Sequence, residues 1–135
     1  MSECNKRRTL PGRIPWLLIL ASTLALGIAQ PGHAADAENG AKVFRSQCAE
    51  CHSTQEGKNR TGPSLFGVVG RSAGTVAGYR YSDAMKNSKL VWTDAELETY
   101  ITDPRKVVPG CRMKYRGLKD SAERADVIAY LNTTR

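Results

Sequence analysis

Hydrophobic and polar positions divide this 135-residue chain into stretches of distinct character. Near the start, the basic residues Lys6, Arg7, Arg8 and Arg13 precede an uncharged apolar run from Trp16 to Ala29. That run is about fourteen residues, short of the ~20 that a bilayer crossing needs, and Gly27 and Pro31 interrupt its far end. The pattern is that of a cleavable export signal. Gly32, His33 and Ala34 supply small residues around a cut after Ala34, with a cut after Ala35 as the near alternative. We therefore divide the chain into a signal at 1–34 and a single domain at 35–135.

Within the domain, Asp36 stands as an N-cap before Ala37-Glu38-Asn39-Gly40-Ala41-Lys42-Val43-Phe44, a helical pattern with an acidic first turn. Thr93 with Glu96 marks a second capped start. Leu97, Tyr100 and Ile101 repeat at i, i+3, i+4, and Asp103-Pro104 ends the pattern. Asp120 with Glu123 resembles a capping box, and Val127, Ile128, Tyr130 and Leu131 give an apolar face, which predicts a last helix over about 121–132. From Ser53 to Val91 the chain is rich in Gly, Ser, Thr and Asn, with Pro63, and predicts loops with at most a short helix near Ser82–Asn87. No alternation of useful length predicts a sheet. The expected class is all-α: three main helices joined by loops. Nearly forty loop residues would be anomalous in a compact domain unless they wrap something.

Charge and cysteine content sharpen this picture. The formal charge of +7 falls to about +4 once the signal leaves, because four basic residues and one acid lie in it. About a hundred residues barely support a core unaided, so a large buried cofactor would be a natural stabiliser. Of four cysteines, Cys4 leaves with the signal. An exported basic protein without a recognition motif is a poor candidate for nucleic acid binding.

Cys48-Ala49-Glu50-Cys51-His52 is a C-x-x-C-H run, the attachment pattern of c-type haem. Two thiols three positions apart can reach both vinyl groups of one porphyrin as thioethers, and the adjacent imidazole is left to coordinate iron. A bare C-x-x-C would also suit a redox dithiol or half a zinc site, but the following His and the absence of a second Cys pair weaken both readings. Haem attachment would consume Cys48 and Cys51 and leave Cys111 as the free thiol.

A second axial ligand must come from Met85 or Met113, since the mature chain has no second histidine. Met113 follows Pro109-Gly110-Cys111-Arg112, a loop whose Pro and Gly fix an extended path, whereas Met85 lies in a more helix-like segment. Core packing is the ordinary role of a methionine. The loop setting favours Met113 as the ligand.

Taken together, Cys-Ala-Glu-Cys-His, Gly62-Pro63-Ser64-Leu65, Gly70-Arg71, Val91-Trp92, Asp103-Pro104-Arg105-Lys106 and Pro-Gly-Cys-Arg-Met resemble a class I c-type cytochrome, close to the bacterial cytochrome c2 and mitochondrial type. The likeness covers nearly all of the domain in the family's order. It implies that Gly40 and Phe44 meet Val127 and Tyr130 where the first and last helices cross. It implies also that the Pro63 carbonyl accepts from the second ring nitrogen of His52. By the same resemblance, Arg71, Tyr81 and Trp92 are donors to a buried haem propionate, and Tyr100 lies beside the methionine sulfur. Cys111 stands where the family usually has threonine, and Met85 where asparagine is common, so polarity near the haem is expected to differ from the usual pattern. Lys114 stands where an apolar or small residue is common.

With His52 and Met113 filling both axial positions, no open iron site remains, and the resemblance implies carriage of electrons instead of catalysis. Arg105, Lys106, Arg112, Lys114, Arg116 and Lys119 occur in 104–119 without an acid. Such a run is often only a solvated face, but beside Met113 it suits docking to acidic partners. The implied partners are a cytochrome bc1-type donor and an oxidase or photosynthetic reaction centre as acceptor, met in the periplasm by a monomer. Two other readings stay open: a haem peroxidase or small-gas binder with a labile methionine, and a cytochrome subunit tethered by an uncleaved residues 1–34.

Overall fold

The computed structural model describes residues 34–135. The expected signal lies outside the described residues except for Ala34. Five helices follow in order: α1 (Ala37–Gln47), α2 (Asp83–Asn87), α3 (Asp94–Thr102), α4 (Pro104–Val107) and α5 (Ser121–Thr133). Among the described residues no helix is long and apolar enough to cross a membrane.

Local chemistry sets these boundaries. Asp36 caps α1 by accepting from the Glu38 and Asn39 amides, Ser82 caps α2 through Met85 N–H, and Thr93 caps α3 through Glu96 N–H. Asp120 accepts from Ala122 and Glu123 at the head of α5. Each bond satisfies an amide that the first helical turn leaves without a partner. Asp103-Pro104 ends α3 as the sequence predicts, but the chain does not then run on as loop. Asp103 closes α3 and at once caps α4 by accepting from Lys106 N–H, with Pro104 at the first position of the new turn. Proline has no N–H to lose there, so the residue that stops one helix starts the next.

The frame is the crossing of α1 and α5, with α3 packed on α5. Gly40 makes the crossing possible: a β carbon there would collide with the Asp126 carbonyl and would lie 2.9 Å from Tyr130 Cβ. One turn later the Phe44 and Tyr130 rings meet with centroids 5.4 Å apart. Val127, expected at this crossing, is buried in the same core as Phe44. Asp126, only 1% exposed, ties the start of the domain to α5. Its carboxylate accepts from Asp36 N–H at 2.8 Å and from Asn39 Nδ2 at 2.6 Å. On the other flank Arg124 bonds Glu98 of α3 at 2.6 Å and the Leu118 carbonyl at 2.8 Å.

Residues 53–91 contribute no strand, and the described residues hold only an isolated antiparallel bridge between Ser72 and Val91. Around it, Trp92 N–H donates to Arg71 O and Gly70 N–H to Trp92 O, both at 2.9 Å. This pairing sets Arg71 beside Trp92 although the sequence separates them by twenty-one positions. Side chains stitch the remaining loops: Asn59 Nδ2 donates to Ala77 O at 3.0 Å, and Tyr79 Oη to Thr61 O at 2.8 Å.

Candidate cofactor site

The C-x-x-C-H run leaves the end of α1 as a tight turn. Cys48 N–H bonds Phe44 O at 2.9 Å as the helix closes, and His52 N–H returns to Cys48 O at 2.9 Å. Cys48 is half-buried and Cys51 exposed. Burial and the neighbouring Cys51 push the Cys48 thiol up to about 11. A redox dithiol needs the opposite, a thiol whose pKa is lowered.

His52 is fixed from two sides. Its Nδ1 lies 2.8 Å from the Pro63 carbonyl. A carbonyl can only accept, so Nδ1 carries the proton and Nε2 keeps its lone pair for a metal. Gly62 lies under the ring, where a β carbon would come within 2.7 Å of Nδ1 and 2.8 Å of Nε2. Burial lowers the imidazole pKa, opposed by the bond to Pro63, which favours the neutral ring that a metal requires.

The other expected residues form a chain of neighbours. Tyr81 and Arg71 are electrostatic partners, and burial raises the Tyr81 hydroxyl while a hydrogen bond to the Val76 backbone and the Arg71 charge oppose it. Arg71 adjoins Trp92 through the bridge, and Trp92 meets Tyr100 with ring centroids 4.8 Å apart. Burial first, and then the Cys111 thiol, hold the Tyr100 phenol well above its usual range. Met113, two residues further along the same loop, is half-buried against the core. Met85 is fully in the core, 7% exposed, on the short α2.

Sequence reasoning does not single out Gly62, Asn59 or Tyr79. Gly62 was legible only as part of the Gly-Pro-Ser-Leu motif. Asn59 and Tyr79 carry weaker signals: a lone Asn in a Gly-rich loop, and an aromatic two positions from Tyr81, whose ring it meets edge-on at 4.8 Å.

These residues fit a haem. Arg71 donates from its terminal nitrogens to Phe66 O at 2.6 Å and Ser64 O at 2.9 Å, yet its Nε is buried without a partner among the described residues. A buried unpaired donor calls for an acceptor, and a propionate is one. Two thiols spaced for thioether attachment, with an imidazole and a thioether able to ligate iron, are equally suited to a c-type haem.

A family model described as cytochrome c matches residues 37–135. The chain belongs to the cytochrome c family. It is 49% identical over 100 residues to cytochrome c of Euglena viridis, covering 74% of this chain and 98% of that protein. It is 47% identical over 109 residues to cytochrome c2 of Rhodopila globiformis, covering 81% of this chain and 100% of that one. Among solved structures, cytochrome cH from Methylobacterium extorquens superposes with a TM-score of 0.69 at 45% identity, covering 73% of this chain and 99% of that one. Members of the family carry electrons on one covalent c-type haem, and Cys48 and Cys51 occupy the attachment positions. The mostly helical architecture, without a sheet among the described residues, is the cytochrome c fold.

Proposed function

We propose that the protein is a periplasmic shuttle that carries single electrons from a cytochrome bc1-type donor to an oxidase or photosynthetic reaction centre, after removal of residues 1–34. Bound haem supplies the one-electron iron couple, and a His/Met pair favours its reduced state. Cys48 and Cys51 hold the porphyrin as thioethers. His52 presents Nε2 because Pro63 holds the Nδ1 proton. Met113 would supply the second iron ligand, a soft thioether. Arg71, Tyr81 and Trp92 donate to a propionate, with the unpaired Arg71 Nε as the clearest vacancy for such an acceptor. Trp92 and Tyr100, both buried, would shield the porphyrin from water.

The observation that carries the reading is the setting of Met113. It packs against the core, while Arg105, Lys106, Arg112, Lys114, Arg116 and Lys119 around it are all exposed. A methionine ligand set in a cationic surface would suit outer-sphere transfer to acidic partners, where charge speeds encounter and weak binding permits release.

Absorption spectra of the exported protein, oxidised and reduced and then with carbon monoxide, test this. A c-type spectrum with a Met-to-iron charge-transfer band and no carbon monoxide shift is the expected result. A missing band with ready carbon monoxide binding would move the reading to a peroxidase or gas binder. An N-terminus still at Met1 would move it to a tethered subunit.

A further inference from the structure

One peptide unit joins His52 to a side chain that sequence reasoning passes over. The carbonyl of Pro63 takes the Nδ1 proton of His52 at 2.8 Å, and the amide of the same peptide, Ser64 N–H, donates to Asn59 Oδ1 at 2.9 Å. The peptide is trans, so the two bonds leave it in opposite directions, with His52 on one side and Asn59 on the other. Partner chemistry fixes the Asn59 amide: Ser64 N–H can only donate, and the Ala77 carbonyl, 3.0 Å from Nδ2, can only accept. Ser64 is 3% exposed, and its own hydroxyl is committed to the Gln55 carbonyl at 2.6 Å and the Phe66 amide at 3.2 Å, so neither water nor that hydroxyl replaces Asn59 as the acceptor. The position of the peptide is set separately. Gly62 and Leu65 donate to the carbonyls of Cys51 and Ser53, on either side of His52, both at 2.7 Å.

We propose that Asn59 is a positioning residue that tunes the iron through this peptide: by accepting from Ser64 N–H it polarises the Pro63 carbonyl, strengthens the hydrogen bond to His52 Nδ1 and makes the imidazole a more basic ligand. Hydrogen bonds in a chain reinforce one another by about 10–30% per bond, and each is stronger where water is excluded. A more basic imidazole favours oxidised iron, so Asn59 lowers the reduction potential. The inference rests on His52 being an iron ligand, and goes beyond that reading by assigning the strength of the ligand to a residue that does not touch it. Gly62 and Leu65 place the carbonyl; Asn59 sets how strongly it accepts. The bond to Ala77 holds the Asn59 amide in the orientation that this requires.

The test measures the reduction potential of the holoprotein and, in its ferrous form, the proton NMR resonance of His52 Nδ1–H, in the wild type and in Asn59→Leu, Asn59→Asp and Tyr79→Phe variants. Leucine keeps the shape and removes both bonds, whereas aspartate keeps the acceptor and loses the donor. Tyr79→Phe removes another tie between the same two loops, the bond from its hydroxyl to Thr61 O at 2.8 Å, and leaves the Pro63–Ser64 peptide untouched. In Asn59→Leu the Nδ1 proton resonance is expected to move upfield, and the equilibrium between oxidised and reduced protein to shift about twofold towards the reduced form, which is ~18 mV at 59 mV per tenfold for one electron. In Asn59→Asp the resonance stays in place or moves downfield, although the tie to Ala77 is lost. Tyr79→Phe lowers the urea midpoint, as Asn59→Leu does, but moves neither the resonance nor the potential. An unchanged resonance in Asn59→Leu, or an equal shift in Tyr79→Phe, would reduce Asn59 to a loop tie and overturn the proposal, with His52 ligation untouched. If the His52 ring protons of the wild type lack the large shifts that a haem plane imposes on a ligand, the ligand assignment fails and the proposal with it. Should Asn59→Leu not mature with haem, Asn59→Asp decides: an upfield resonance there would overturn the relay.

Discussion

Gly40 lies so close to the Asp126 carbonyl that no β carbon fits between α1 and α5. The crossing that carries the C-x-x-C-H turn therefore depends on a missing methyl group. Gly40→Ala gains up to ~1 kcal/mol of helix propensity. It must also push two helices apart, and because the obstacle is backbone, no rotamer change relieves it. Overpacking of this kind costs about 1–3 kcal/mol and occasionally more. We expect net destabilisation of about 2 kcal/mol in urea unfolding of the holoprotein. An unchanged midpoint would mean that the helices separate freely.

Lys89 offers the opposite case. It has φ of 56°, the only non-glycine residue with positive φ among those described. A β carbon in that conformation costs roughly 1–2 kcal/mol. Its side chain is exposed, so little packing would be lost on removing it. Lys89→Gly pays back part of this in greater unfolded-state entropy, and a net gain of about 0.5–1 kcal/mol is expected. Thermal unfolding of the two holoproteins at matched pH checks it, and a lower midpoint for the glycine variant would contradict the strain.

Both residues bear on what the sequence made legible. The caps at Asp36, Thr93 and Asp120 and the apolar faces of the long helices were readable, because they are local chemistry. So was the haem turn, whose residues are contiguous. Asp126 was not: an aspartate inside an amphipathic helix is ordinarily solvated, and only the arrival of Asp36 and Asn39, some ninety residues away, gives it partners. The second turn at Pro104 was hidden by a residue that signals both a stop and a start. The loop positions Arg71 and Trp92 could be matched only through family resemblance, since nothing in local spacing predicts the bridge that joins them.

Alkaline pH should weaken the fold in a defined direction. Burial raises the hydroxyl of Tyr100, with Cys111 adding to it, and burial also raises Tyr81 and Tyr115. Below the unfolded tyrosine pKa of about 10 both states are protonated, and this contribution is fully present. Above it the unfolded chain releases protons that the folded protein retains, so stability falls as pH rises towards the folded values. For the buried Tyr100 the limiting slope is about 1.4 kcal/mol per pH unit. Urea unfolding between pH 9 and 11 should show the decline, and Tyr100→Phe should flatten it. An equal slope in that variant would assign the loss to other groups.

The cationic segment around Met113 makes the last prediction, and its design follows from the contacts. Arg112 also holds the Arg80 carbonyl and Lys119 the Thr102 carbonyl, at 3.0 and 2.8 Å, so neutralising either would confound charge with loop anchoring. Lys106 and Lys114 are exposed and make no side-chain ion pair among those found in the described residues. Lys106→Gln and Lys114→Gln therefore change charge with little else. If this face docks on acidic partners, each variant should slow electron transfer to such a partner by about threefold to tenfold at low ionic strength. The gap should close as the Debye length shrinks towards ~3 Å near 1 M salt. Stopped-flow rates across a salt series measure this. Oxidation by an uncharged small molecule should be unaffected, because no field steers it. Lys42→Gln is the comparison, since that lysine sits on α1 beside Glu38 at 3.7 Å, outside the segment. If its salt dependence changed as much as that of Lys106→Gln, total charge rather than this surface would be guiding encounter.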